Sequence, residues 1–218
     1  MGVALAEKYR PLTLAEVVGQ DKAVAKCRLW LKRDEVGGHA FMITGATGTG
    51  KTTIARILAR SIADPLAIQE IDGSKLTPPQ VDACSLECRR RTLWNPPGHA
   101  FIVNEFHRLT PDSITRLLVA LEPIPPWAGW FFTTTVSAFQ STFDPKVDST
   151  PFLTRGHKLN LARRDLSGPF AQRTKQIAAA EGLDGKPVEE YEKLAHRCRN
   201  SLRDMIRAVG DFEMMEGD

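Results

Sequence analysis

Several features that would assign a class at once are scarce in this chain. There are four cysteines, Cys27, Cys84, Cys88 and Cys198, in 218 residues. None forms a C-x-x-C pair, and no further cysteine or histidine stands at zinc-finger spacing, which argues against a disulfide framework and a structural zinc site. No apolar run approaches the roughly 18 residues of a membrane helix. Residues 1–8 lack the apolar stretch of a secretory signal. The expectation is a cytoplasmic protein with reduced thiols and no membrane partner. Low-complexity tracts and internal repeats are missing as well. An excess of one charge is also lacking: the formal net charge is +3. That neither demands nor excludes nucleic acid, because a local basic patch matters more than the total.

What is present is an ordinary globular composition, 42% hydrophobic and 25% charged. Up to about Asn160, short apolar runs alternate with helical patterns, the signature of a parallel α/β sheet. Strands are expected at Ala40–Thr44, Ala100–Val103 and Trp130–Thr135, with a weaker one at Ala67–Ile71. Helical periodicity covers Thr53–Ile62 and Asp112–Leu121, with Pro111 suited to a first turn. Cys84 and Cys88 stand four apart in a further helix and share a face, as buried thiols do. From Leu161 onward the pattern is helical only, with helices near Asp165–Glu181, Val188–Cys198 and Ser201–Phe212. The expected division is 1–160 as an α/β core and 161–218 as a small three-helix domain.

The strongest chemical signal is Gly45-Ala46-Thr47-Gly48-Thr49-Gly50-Lys51-Thr52, a full G-x-x-x-x-G-K-[ST] phosphate loop. The glycines let backbone N–H groups point at a phosphate, and the following helix adds its positive end. Lys51 supplies a full charge for the β- and γ-phosphates, and the Thr52 hydroxyl suits Mg2+. Thr53 continues the helix start. ATP and Mg2+ are the expected cofactors.

The run Phe101-Ile102-Val103-Asn104-Glu105 follows in the order of a Walker B strand. The first polar position usually helps hold the metal and the second polarises water. Here the first is Asn104, a neutral amide that offers a cation a dipole instead of a charge, and the second is Glu105. A polar pair at a strand end without catalytic duty is the alternative. The hydroxyls of Thr133-Thr134-Thr135 suit either contact with a γ-phosphate or plain strand packing. Arg155 and Arg203 suit either a transferring phosphoryl or a solvated surface.

Together these residues resemble the clamp-loader ATPases of the AAA+ superfamily. These are the gamma/tau and delta-prime subunits of bacterial DNA polymerase III and the small subunits of replication factor C. The resemblance is carried by Glu7-Lys8-Tyr9-Arg10-Pro11, Val17-Val18-Gly19-Gln20 and the phosphate loop. Further along it rests on Ile71-Asp72-Gly73-Ser74, Leu117-Leu118-Val119-Ala120-Leu121-Glu122-Pro123, Thr134-Thr135 and Asn200-Ser201-Leu202-Arg203-Asp204. It implies that Tyr9, Arg10 and Pro11 lie by the adenine, that Thr135 is sensor 1, and that Arg203 on a helical lid reaches the γ-phosphate. Thr154-Arg155-Gly156 stands where the family has S-R-C, so Arg155 would be the arginine finger completing a neighbouring subunit's site. The implied partners are other AAA+ subunits, DNA, and a sliding clamp or polymerase. Lys75 and Arg89, Arg90 and Arg91, which would end the next helix, are the candidate DNA contacts; solvated charges at a helix end are the alternative.

The departures are Asn104, the flanks of Arg155, the missing four-cysteine zinc module, and the missing third, collar-forming domain. They leave two rivals: a nucleotide-binding scaffold subunit with little or no ATPase activity, and a small-molecule P-loop kinase.

Overall fold

The computed structural model describes residues 3–135, 156–162 and 164–215. Helices α1 (Leu5–Lys8), α2 (Asp21–Lys32), α3 (Lys51–Ala59), α4 (Pro78–Glu87) and α5 (Pro111–Ala120) accompany strands β1 (His39–Thr44), β2 (Ile68–Asp72), β3 (His99–Asn104), β4 (Ala128–Thr134) and β5 (Gly156–Asn160). Helices α6 (Ser167–Glu181), α7 (Val188–Arg197) and α8 (Leu202–Gly210) follow. The class is α/β, as the alternating pattern implies.

Contacts divide the chain into two compact units. One comprises Met1–Val24, Ala46–Gly50 and Leu161–Asp218, the other Ala25–Gly45 and Lys51–Asn160. The second holds the sheet. Its five strands run parallel in the order β2-β3-β4-β1-β5. The three inner strands are covered on both faces, so they must be apolar throughout. Phe41, Ile43, Phe101, Ile102, Val103 and Phe131 are all fully buried. Helices α4 and α5 cover one face, where Val81, Cys84, Cys88, Ile114 and Leu117 pack on Phe101, Val103, Trp130 and Phe132. Burial pushes the thiols of Cys84 and Cys88 up to about 12, so both stay protonated and unreactive at neutral pH. Cys27 is pushed up to about 12 by the same cause.

Three expectations need correction. Strand β5 was not expected: in Gly-His-Lys-Leu-Asn only Leu159 is buried, too little to write an apolar run. It pairs with β1 at the sheet edge and so lacks a second flanking strand. Strand β4 begins two residues earlier than its aromatic run and stops at Thr134, leaving Thr135 just beyond it. Helix α4 ends at Glu87 with Cys88 as its cap, so Arg89, Arg90 and Arg91 lie in the exposed turn after the helix. Arg91 there places its guanidinium 4.7 Å from the centre of the Trp127 ring.

The helical unit is built on α6, α7 and α8, whose inward faces bring Phe170, Tyr191, Leu194, Met205 and Val209 together. The N-terminal segment belongs to this core: Leu5 and Val18 pack against it. Among the described residues no helix is long and apolar enough to cross a membrane.

Candidate nucleotide site

The phosphate loop leaves β1 at Thr44 and enters α3 at Lys51. Gly48 has φ +76° and Gly50 φ +101°, values that L side chains rarely adopt. The two glycines differ in their surroundings. A Cβ on Gly50 would meet nothing within 4 Å, so the backbone there borders open space. A Cβ on Gly48 would lie 2.1 Å from Ser201 Oγ and 2.9 Å from Ser201 Cα. The loop apex therefore rests on the residue that caps α8, where Ser201 Oγ accepts from the Asp204 amide.

Around the apex, Thr47 is exposed and Thr49 is buried, its hydroxyl donating to the Ala46 carbonyl at 2.8 Å. Gln20 is almost fully buried. Its side chain donates to the Ala162 carbonyl at 3.0 Å and to the Thr49 carbonyl at 3.5 Å, and accepts from the Ala162 amide at 2.8 Å. At the base of the loop, Lys51 is buried and its ammonium donates to the Gly45 carbonyl at 3.0 Å. Gly45 N in turn reaches the Thr134 carbonyl at 3.3 Å.

A network of side chains meets below Lys51. Thr52 Oγ1 donates to Asn104 Oδ1 at 2.9 Å, and Thr133 Oγ1 donates to the same oxygen at 2.8 Å. Asn104 Nδ2 donates to Glu70 Oε1 at 2.7 Å, while Arg56 Nε donates to Glu70 Oε2 at 2.7 Å. The parallel register explains the meeting: Asp72 is opposite Asn104 and Glu70 opposite Ile102, so alternate residues of β2 and β3 share a face.

Glu105, directly after β3, has φ 54° and ψ 50°, a left-handed conformation costing a non-glycine residue about 1–2 kcal/mol. Such strain concentrates at functional sites. Its carboxylate lies 3.6 Å from His107 Nδ1, which is 3.1 Å from Thr134 Oγ1.

These residues fit a magnesium-bound triphosphate. The loop offers left-handed glycines and open space beside Gly50, room in which backbone N–H groups can meet an anion. Lys51 brings the cation. Thr52 gives its hydroxyl proton to Asn104, which leaves its oxygen lone pairs for a metal ion.

The remaining expected residues are placed as follows. Tyr9 donates its phenol proton to the Glu181 carboxylate, which also takes the Lys8 ammonium at 2.6 Å. That hydrogen bond raises the Tyr9 pKa. Hydrogen bonds from Lys8 and Tyr9 hold Glu181 below the usual carboxylate range. Arg10 pairs with Glu7, and Pro11 is half-buried beside them. Arg203 is exposed in the first turn of α8. Lys75 is exposed at the end of a short turn opened by Gly73. Arg155 lies outside the described residues. Sequence reasoning missed Glu70, His107 and Glu181 and gave Gln20 no role beyond its place in the Val17-Val18-Gly19-Gln20 motif; Glu70 carried a signal too, as a charged residue in a weak strand two positions before Asp72.

Residues 41–141 match the model of the ATPase family associated with various cellular activities (AAA). The match marks an AAA domain in this segment, just under half of the chain. The chain is similar to the DNA polymerase III subunit tau of Escherichia coli, 28% identical over 236 residues, which cover 98% of this chain and 35% of that protein. It is similar also to the DNA polymerase III subunit gamma/tau of Mycobacterium tuberculosis, 32% identical over 157 residues covering 61% of this chain and 27% of that one. The chain thus spans about a quarter to a third of the curated relatives it matches. Among solved structures, the Holliday junction branch migration motor RuvB of Thermotoga maritima superposes with a TM-score of 0.70 at 24% identity, over 93% of this chain and 64% of that one. That likeness speaks for the fold alone.

Proposed function

We propose that this protein binds Mg-ATP and couples its hydrolysis to a DNA-associated assembly of AAA+ subunits, in the manner of a clamp loader. The observation that carries the reading is the phosphate loop: left-handed Gly48 and Gly50, buried Lys51, and Thr52 tied to the end of β3. In this reading the amides from Gly45 to Thr53 enclose the phosphates and Tyr9, Arg10 and Pro11 border the adenine. Thr52 and Asn104 face the metal. Glu105 takes the proton of the attacking water, at a position where strain keeps the carboxylate out of the strand ladder. Thr135 and Arg203 respond to the γ-phosphate, with residues 161–218 acting as the lid. Arg155 serves a neighbouring subunit, and Lys75 with Arg89, Arg90 and Arg91 faces DNA phosphates. A sliding clamp or polymerase is the partner to test first. The similarity to DNA polymerase III subunits supports the choice of assembly.

A second reading is favoured by one observation. Asn104 uses its oxygen twice and its amide nitrogen once inside the protein, which suits a scaffold subunit that binds nucleotide and turns it over slowly or not at all. Steady-state ATP hydrolysis with DNA present separates the two. The ATPase reading expects turnover that Glu105→Gln lowers by about 100-fold or more, the scale of lost general-base catalysis. Background turnover in both proteins would leave the scaffold.

A further inference from the structure

An aspartate at the end of β3 would bring its own negative charge toward a metal ion; Asn104 brings none. The hydrogen bonds show where a charge lies instead. A carboxylate cannot donate, so the amide nitrogen of Asn104 must be the atom facing Glu70, and its oxygen must face the two threonine hydroxyls. The orientation of the amide is fixed by chemistry. Donation from Nδ2 to a carboxylate draws electron density onto Oδ1, because linked hydrogen bonds polarise one another; the Glu70 end of this chain of bonds is exposed and the threonine end part-buried. That oxygen then holds the protons of Thr52 and Thr133 more strongly. Glu70 is itself fixed by Arg56 on its other oxygen.

We propose that Glu70 is a positioning residue for the metal-facing oxygens: acting through the Asn104 amide, its carboxylate supplies from β2 the charge that residue 104 lacks. The inference rests on the Mg-ATP reading above. It accounts for the pairing of the two residue types. With aspartate at 104, two carboxylates would stand about as close as the 2.7 Å contact between Asn104 and Glu70, and like charges at that range repel strongly. An amide at 104 and an acid at 70 are complementary.

The test measures ADP affinity by calorimetry in EDTA and in Mg2+, and reads the ratio of the two. In Glu70→Gln the hydrogen bond can persist through the amide oxygen, but the charge is gone. The affinity in EDTA should stay within about twofold of the parent. The Mg2+ enhancement should fall about fivefold, the gap between a charge-assisted and a neutral hydrogen bond. The double variant Asn104→Asp with Glu70→Gln moves the charge to β3 and should recover most of the enhancement. The signal of bound Mn2+ in the Mn-ADP complex should broaden in Glu70→Gln and sharpen again in the double variant. An unchanged enhancement in Glu70→Gln would overturn the proposal, as would equal losses with and without Mg2+, which mark a packing role.

If the parent binds no ADP under either condition, the nucleotide reading fails and this inference fails with it; a parent that binds with no response in Glu70→Gln sinks the inference alone.

Discussion

Gly48 and Gly50 carry different burdens although the motif writes them alike. Gly50 needs its backbone dihedral and little else, because a side chain there would enter open space. Gly48 needs the dihedral and also the missing side chain, since Ser201 fills the place a Cβ would take. Gly48→Ala should therefore cost about 2–4 kcal/mol, combining left-handed strain with overpacking. In a chain of this size that lowers the melting temperature by roughly 5–12 °C. Replacing Ser201 by glycine in the same protein should return part of the loss, measured by thermal unfolding. A Gly48→Ala protein that melts with the parent would contradict the apex packing. The motif residues were legible in the sequence because each answers to a local demand: dihedral freedom, a charge, a hydroxyl. Glu70 and His107 were not, and Gln20 was legible only as part of a motif, because their roles come from strand register and from chain segments far apart in sequence.

At the scale of elements, what the sequence disclosed follows burial. Strands β1, β3 and β4 are covered on both faces and read as unbroken apolar runs. The edge strands β2 and β5 alternate or lack apolar residues, so one was faint and the other invisible. Helices α6 to α8 were found because each carries an apolar stripe at the helical period. The end of α4 was misjudged: three arginines extend the helical composition, but the backbone turns at Cys88. Arg89, Arg90 and Arg91 then stand on an exposed turn after the helix, with Arg91 over the Trp127 ring. Replacing them with Lys75 by alanines should flatten the dependence of DNA affinity on salt, by up to about 0.9 per phosphate contact removed in a plot of log K against log salt concentration. Binding measured between 50 and 200 mM salt gives the slope; an unchanged slope would remove this turn from the DNA interface.

For the whole molecule, the two units answer to separate cores, one around the parallel sheet and one around α6, α7 and α8. The α/β class and its phosphate loop were readable from pattern; the membership of the N-terminal segment in the helical core was not, since Leu5 and Val18 carry no periodic signal of their own. Assembly is the property that a single chain displays least. If Arg155 completes a neighbour's site, Arg155→Ala should leave ATP affinity unchanged and lower turnover in the assembled state only, with mixed assemblies regaining activity in proportion to the parent subunit. An equal loss in isolated monomers would assign Arg155 to its own chain. The expectations about hydrolysis and assembly depend on nucleotide binding at the glycine loop. Calorimetric titration of ATP with Mg2+ into the parent and into Lys51→Ala tests it most directly: the account predicts saturable binding by the parent and loss of at least about tenfold in affinity without the Lys51 ammonium, about 1.4 kcal/mol or more. No heat from the parent, or equal affinity in both proteins, would contradict it.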